Sequence, residues 1–144
     1  MKKIFISSDH AGFKLKEDIK KHLKSLKLNF NDLGPVNDNS VDYPDFVHPV
    51  VKDVINKTSM YGILICGTAN GVAITANKYR EIRAGLSWNI EVVKLIRQHN
   101  NANILCIPAR YTSTPQVLKM VETFLNIKFE GGRHKKRIDK MMPL

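Results

Sequence analysis

The residues best placed to do chemistry lie in one stretch, from Tyr61 to Lys78 (YGILICGTANGVAITANK). An apolar run typical of a buried parallel strand ends at Cys66, and a loop of small residues from Gly67 to Gly71 leads into a short apolar helix. Because no bulky side chain screens the N–H groups of this loop, they can bind an anion together with the helix N-terminus. The same dipole favours a thiolate at Cys66. The alternative is a buried cysteine before an ordinary turn, since short glycine loops are weak evidence.

The elements that must position this stretch follow from the pattern of the chain. Apolar strand patterns alternate with amphipathic helix patterns, which predicts an α/β fold. We expect a doubly wound, Rossmann-like, five-stranded parallel sheet flanked by helices, with a C-terminal basic helical tail, as one domain over residues 1–144. The strands are predicted at residues 3–7, 28–33, 63–66, 83–87 and 103–108. Asp42 and Thr114 are predicted helix caps.

Asp9 and His10 directly follow the first predicted strand. The expected strand order is 2-1-3-4-5, whose crevice opens between strands one and three. This order makes the loop of Asp9 and His10 a neighbour of the Cys66 loop at the carboxyl edge of the sheet. A site in the crevice is therefore favoured over the structural alternative, in which Asp9 caps a helix and His10 is merely exposed.

Other candidates lie farther along the chain. His99 and Asn100 follow a helix and precede strand five, which places them at the opposite edge of the sheet. They are either a plain helix C-terminus or groups that a symmetry-related subunit delivers. Arg110 follows strand five on the crevice side, where it can serve its own site or a neighbour's. Arg133 and Arg137 are four residues apart, so one helical face can present both guanidiniums to a phosphate. A solvated basic tail is the simpler alternative for this pair.

The totals restrict the class of protein. With 144 residues, 43% hydrophobic and 25% charged, the chain has an ordinary globular composition. It contains no apolar run of the ~20 residues that a membrane span needs, and its N-terminus indicates a first strand rather than a signal peptide. Cys66 and Cys106 lie in apolar strand patterns without metal-ligand spacing, which favours reduced thiols and a cytoplasmic protein, with Cys106 in the core.

The formal net charge of +10 raises the alternative of a nucleic-acid partner. However, five lysines of the first helix are expected on its solvent face: Lys14, Lys16, Lys20, Lys21 and Lys24. The dense basic segment 133–140 also lacks the aromatic residues that stack on bases. A small phosphorylated ligand and a solvated basic surface are therefore favoured over nucleic acid, and no membrane partner is expected.

Five motifs in register carry a resemblance. SSDHAG, DYPD, ICGTANGVAITANK, HNNAN and EGGRHKKRI, spread from Ile4 to Lys140, resemble the ribose-5-phosphate isomerase B family. The resemblance implies an enzyme that interconverts D-ribose 5-phosphate and D-ribulose 5-phosphate through a cis-enediolate. It also implies a homodimer or a dimer of dimers with shared active sites, and neither a metal nor another cofactor.

The resemblance also implies roles for individual residues. Cys66 would shuttle a proton between C1 and C2, and His99 of the partner subunit would open the furanose ring with the help of Asp9. The loop residues would hold the enediolate oxygens, with Thr68 as a proton relay; these residues are Gly67, Thr68, Ala69, Asn70 and Gly71. Contacts to the phosphate or the sugar would come from Asp9, His10, Tyr43, Asn100, Arg110, Arg133 and Arg137.

One departure and two alternatives accompany this reading. Ala69 stands where the family usually has glycine, which either restricts the loop to negative φ or strains it. The first alternative is an isomerase of a six-carbon aldose phosphate, such as allose 6-phosphate or galactose 6-phosphate. The second is a non-catalytic phosphate- or nucleic-acid-binding module of flavodoxin-like shape.

Overall fold

The computed structural model describes residues 3–56 and 60–143, in which five parallel strands form one sheet. The strands are β1 (Lys3–Ser8), β2 (Phe30–Asp32), β3 (Met60–Cys66), β4 (Ala84–Leu86) and β5 (Ile104–Pro108). The helices are α1 (Phe13–Ser25), α2 (Pro44–Ile55), α3 (Asn70–Ala76), α4 (Ile90–Asn100), α5 (Thr114–Asn126) and α6 (Arg133–Ile138). The predicted α/β class and the helical basic tail are therefore confirmed. Within the described ranges, every helix is too short or too polar to cross a membrane.

Helices cover both faces of the sheet. One core contains apolar side chains of α1, α4 and α5 packed on Ile6, Ile63 and Leu105. The other contains side chains of α2 and α3 packed on Phe5 and Leu64. Successive strand residues point to opposite faces, so a strand that is covered on both sides is apolar at nearly every position. This explains the unbroken apolar runs in the sequence.

The observed strand order is β2-β1-β3-β5-β4, so the expected order of the last two strands is wrong. Every residue of β5 is buried, whereas β4 has three residues, of which only Gly85 is buried. The longer and more apolar strand therefore takes the interior position, and the short one takes the edge. The expected pairing of strands one and three is confirmed, with Ser8 opposite Ile65.

Both predicted helix caps are wrong by one position. Tyr43 is the cap residue of α2, and its dihedral angles, φ −55° and ψ −35°, are already helical. Asp42 accepts the Asp45 N–H (3.1 Å) with its carbonyl rather than with its carboxylate. At α5, Thr114 is already in the helix, and the Ser113 hydroxyl accepts the Gln116 N–H (3.4 Å). Each helix begins where a side chain or carbonyl can reach the first free amides.

Lys16 is not on the solvent face of α1, contrary to expectation, but is completely buried. Its ammonium donates to both carboxylate oxygens of Asp32 (2.8 Å each) and to the carbonyl of Pro35 (3.0 Å). Asp32 also accepts the Gly34 N–H (2.9 Å), and the carbonyl of Gly34 accepts the Ser8 N–H (3.1 Å). This ion pair, buried at Lys16 and partly exposed at Asp32, therefore holds the turn after β2 against the carboxyl end of β1.

Candidate active site

Cys66 is the last residue of β3, and only 5% of its surface is exposed. It packs on the face covered by α2 and α3. Cys106 is fully buried on the same face, in β5, and burial, followed by the charge of Cys66, raises its pKa. Cys106 therefore stays a thiol within the core, as predicted, while Cys66 lies at the carboxyl edge of the sheet.

The loop after β1 packs against the carboxyl end of β3, beside the start of the Cys66 loop. The N–H of Asp9 donates to the carbonyl of Ile65 (3.1 Å). Gly12 packs so closely that a Cβ there would lie 2.7 Å from the same carbonyl oxygen. Asp9 is 8% exposed, and its Oδ1 accepts the Gly12 N–H (2.9 Å). The Asp9 carboxylate thus closes the turn before α1 rather than capping the helix, whose cap residue is Gly12, and the Asp9 backbone is fixed beside the end of β3.

His10 has a defined ring orientation. Its Nδ1 accepts the Val41 N–H (3.3 Å). A nitrogen that accepts a hydrogen bond carries no proton, so the neutral ring carries its proton on Nε2. The half-buried His10 can therefore donate a hydrogen bond to an anion in the crevice.

The loop after Cys66 adopts the strained form of the two that the sequence allowed. Ala69 is fully buried in the left-handed conformation, at φ 64° and ψ −2°. For a residue with a side chain this conformation costs about 1–2 kcal/mol, which the surrounding packing must offset. The Thr68 hydroxyl accepts the Asn70 N–H (3.3 Å), so the side chain predicted as a proton relay also organises the loop.

Two side chains from other elements lie against this loop. The Tyr43 ring covers Gly71 so closely that a Cβ there would overlap Cζ of the ring. The backbone N–H of Arg110 donates to the carbonyl of Gly67 (3.1 Å), and its guanidinium lies 3.1 Å from the position of a Cβ on Gly67. Since β5 lies beside β3, Arg110 reaches the Cys66 loop of its own chain.

The remaining candidates lie at the other edge of the sheet. His99 and Asn100 end α4, just before β5. The ring of His99 stacks on that of His134 in α6, with centroids 4.1 Å apart and planes 12° from parallel. Arg133 and Arg137 are exposed on the same short helix. Strands of five to seven residues separate the two edges by about 20 Å.

The candidates therefore form two sets within one chain. The carboxyl-edge set contains Asp9, His10, Tyr43, residues 66–71 and Arg110. The amino-edge set contains His99, Asn100, Arg133 and Arg137. One small ligand cannot contact both sets of the same chain across this distance.

Sequence reasoning missed two arginines, the buried Arg97 and the half-buried Arg83, that fix the turn after His99. Arg97 donates to Oδ1 of Asn101 (3.0 Å), and its guanidinium lies 5.3 Å from the centre of the Tyr61 ring. Arg83 donates from Nε to the carbonyls of Asn100 (3.0 Å) and Asn101 (3.1 Å). Burial lowers the pKa of both guanidiniums, and their mutual repulsion lowers that of Arg83 further. A periodic signal existed for Arg97, which lies one helical turn after the buried residue at position 93.

Comparisons with known proteins define the class. Residues 4–141 match the family model described as Ribose/Galactose Isomerase. The chain therefore belongs to the family of ribose and galactose isomerases, in agreement with the resemblance of its motifs.

Individual relatives are similar over nearly their whole length. The Mycoplasma genitalium protein named "Probable ribose-5-phosphate isomerase B" is 46% identical, over 96% of this chain and 93% of its own. A crystal structure of a ribose 5-phosphate isomerase from Thermotoga maritima has a TM-score of 0.93 at 45% identity, and covers 96% of this chain and 95% of that one. A structure of the Mycoplasma genitalium enzyme with bound ribulose-5-phosphate has a TM-score of 0.92 at 45% identity, over 96% and 93% of the two chains.

Proposed function

We propose that this chain interconverts D-ribose 5-phosphate and D-ribulose 5-phosphate through a cis-enediolate. The observation that carries the proposal is the position of Cys66 at the end of β3, between a loop of backbone amides and the loop of Asp9 and His10. Membership of the isomerase family and the relative with bound ribulose-5-phosphate support the substrate. A module that only binds polyanions has no use for a thiol at this position.

In the proposed mechanism, Cys66 removes a proton from one of the carbons C1 and C2 and returns it to the other. A single base close to both carbons is sufficient, because the proton that is removed is also returned. Negative charge develops on the two substrate oxygens, and amides of residues 67–71 with Thr68 stabilise it. One such donor is worth on the order of 3 kcal/mol of barrier. The mechanism uses no cofactor.

The sugar must first be opened, and its phosphate must be held. We propose that His99 with Asp9 opens the furanose ring and that Asn100 and Tyr43 contact the sugar. His10, Arg110, Arg133 and Arg137 bind the phosphate, which fixes the reacting carbons near the thiolate.

The two edges determine the assembly that this mechanism needs. The amino-edge set lies about 20 Å from Cys66 of the same chain. We therefore propose a homodimer, or a dimer of dimers, in which the amino-edge set of one subunit completes the carboxyl-edge set of its partner. In a two-fold pair each exchange is reciprocal, so two sites form.

The base is tested by Cys66→Ala in a coupled assay on ribose 5-phosphate. Loss of a positioned base lowers turnover by about 10²-fold or more. Cys106→Ala is the matched control, because it removes the other thiol from the core. Turnover of Cys66→Ala within a few-fold of the parent would show that the base is assigned wrongly.

The shared site is tested by mixing Cys66→Ala and His99→Asn subunits. Random exchange makes half of the dimers mixed, and each mixed dimer has one intact site of two. Activity should therefore return to about one quarter of the parent value. Subunit exchange can be demonstrated independently, for example by mass spectrometry. If activity does not recover although exchange has occurred, delivery of His99 by the partner subunit is refuted.

The family description also includes galactose isomerases, so the substrate range needs its own measurement. Allose 6-phosphate and galactose 6-phosphate are assayed beside ribose 5-phosphate. A higher kcat/KM for either six-carbon sugar would replace the five-carbon assignment while leaving the roles of Cys66 and His99 in place.

A further inference from the structure

The ring of His134, which stacks on the ring of His99, is buried, whereas His99 itself is partly exposed. His134 is 6% exposed and packs its ring 4.1 Å from that of His99 in a nearly parallel arrangement. A buried ring is held by its surroundings, and a partly exposed ring stacked on it loses freedom to rotate about χ2. The stack therefore fixes the plane of the His99 ring, in which its two nitrogens lie.

Glu130 completes the group from the other side of His134. Its carboxylate oxygen lies 3.4 Å from Nε2 of His134. That nitrogen is buried and forms no hydrogen bond in the described part of the chain. A carboxylate in this position favours the tautomer with the proton on Nε2, and a movement of roughly half an ångström gives a hydrogen bond. Glu130 can thus fix the orientation of the His134 ring.

The same three side chains have the spacing of a metal site, since their ligand atoms lie within 4.8 Å of one another. However, two nearly parallel rings direct their nitrogen lone pairs into separate planes rather than toward one point. Arg133 and Arg137 add positive charge, and both lower the pKa of His134. Geometry and charge therefore favour a stack over a cation site.

We propose that His134 is a positioning residue for ring opening. Its buried ring, oriented by Glu130, holds the His99 imidazole at the angle at which His99 exchanges a proton with the furanose. This inference rests on the proposed function, in which His99 is the ring-opening group. His134 itself need not touch the sugar.

The charges around His134 agree with this role. Burial and then the charges of His99, Arg133 and Arg137 lower the pKa of His134, against an opposing effect of Glu130. His134 therefore becomes protonated at a lower pH than an ordinary histidine. His99 can then take up a proton without a second positive ring stacked on it.

The test uses a difference between the two substrates. Ribulose 5-phosphate carries its phosphate on the C5 oxygen, so C2 cannot close a five-membered ring, and the sugar is already open. Exchange of its C1 proton with D₂O requires removal by Cys66 but no ring opening. Turnover of ribose 5-phosphate requires both steps.

For His134→Ala we expect kcat on ribose 5-phosphate to fall about 10- to 100-fold, because the ring-opening group is misplaced. KM and the C1 exchange of ribulose 5-phosphate should stay within about threefold of the parent. His134→Phe keeps a flat ring beneath His99 and should restore most of the turnover. In NMR spectra, the ring-current shift of the His99 ring protons should disappear in His134→Ala and remain in His134→Phe.

The control is His22→Ala. His22 also lies 3.4 Å from a glutamate, Glu122, and its buried Nε2 also forms no hydrogen bond, but it belongs to α1 and does not stack on His99. The His22→Ala variant should change neither the turnover of ribose 5-phosphate nor the C1 exchange of ribulose 5-phosphate. Unchanged turnover in His134→Ala, or an equal fall in turnover and exchange, overturns the inference. An inactive parent chain would instead refute the proposed function, with which this inference would also fall.

Discussion

Replacing Asp32 by asparagine should destabilise the protein far more than removing its lysine partner. Asp32→Asn keeps the shape and the acceptor for Gly34 but leaves the ammonium of Lys16 with only the more distant carboxylate of Glu17 as a counter-charge. Lys16 is completely buried, and apart from Asp32 it contacts the Pro35 carbonyl at 3.0 Å and Glu17 at 3.6 Å. A buried charge that loses its partner cannot recover its energy from water.

The magnitude follows from the exposure of each partner. Breaking a buried pair by removing one charge costs about 3–5 kcal/mol. The Asp32 side chain is 24% exposed and Glu17 remains near, so we expect the lower end, about 3 kcal/mol. Lys16→Met instead removes the buried charge itself, and Asp32 keeps Lys20 at 2.6 Å as well as water. That variant should lose only about 1 kcal/mol.

Urea unfolding of both single variants and the double variant at neutral pH measures these differences. The double variant should resemble Lys16→Met, because asparagine costs little once the buried ammonium is gone. Asp139→Asn is the matched control: Asp139 pairs with Lys135 at 2.7 Å, but both side chains are more than half exposed. It should cost less than about 0.5 kcal/mol. An Asp32→Asn loss no larger than that of Lys16→Met or of the control would refute the reasoning.

The same pair gives a pH dependence with a definite sign. Partial burial alone would raise the pKa of Asp32, but hydrogen bonds from Lys16, Lys20 and the Gly34 N–H outweigh it and lower that pKa. A carboxyl whose pKa is lowered on folding contributes stability that is present above its unfolded pKa, about 4, and is lost as the pH falls through the folded value. The difference in unfolding free energy between the parent and Asp32→Asn should therefore shrink below about pH 4.

Three further predictions concern the loop and the thiols. Gly71→Ala should displace the Tyr43 ring and raise KM. In a Tyr43→Ala background, the same change should instead raise the free energy of unfolding, by no more than about 1 kcal/mol. Equal effects of Gly71→Ala in both backgrounds would contradict the contact between Gly71 and Tyr43. Ala69→Gly should stay within about 1 kcal/mol of the parent, because relief of the left-handed strain offsets the lost methyl group, while Ala69→Val should lose more than about 2 kcal/mol in urea unfolding. A thiol reagent should label Cys66 in the folded protein and Cys106 only on unfolding, and equal labelling rates in mass spectra would be inconsistent with the buried position of Cys106.

Much of the fold was predictable because strand and helix patterns are local. Runs such as residues 63–66 need only their own sequence to indicate a buried strand, and the alternation with helices indicates a parallel sheet. The order of β4 and β5 was not predictable in this way, because it depends on which strand buries more apolar surface beside β3. The predicted helix caps were wrong by one residue because such a shift moves the cap without changing the amphipathic pattern of the helix.

The candidate site was predictable where a residue ends a strand. Asp9, Cys66 and Arg110 each follow or end one, and parallel topology alone takes them to one edge. The stack of His134 on His99 joins two helices far apart in sequence, and no local period indicates it. The prediction for Lys16 was wrong for a related reason. A long side chain at the border of a helix face can turn inward when a carboxylate, here that of Asp32, lies within reach of its ammonium.

The interior position of β5 has a consequence for how the chain is made. In the described part of the molecule, β4 pairs only with β5, and β5 joins it to β3. A ribosome releases β1, β2 and β3 first, and β1 can already pair with both of the other two. Residues 84–86 then emerge without a strand to pair with, although Asn77 already bonds the backbone of Ala84, until the chain has been synthesised past position 108. The sheet is thus completed beside β3 late in translation, and a nascent chain stalled before that point exposes the flank of β3.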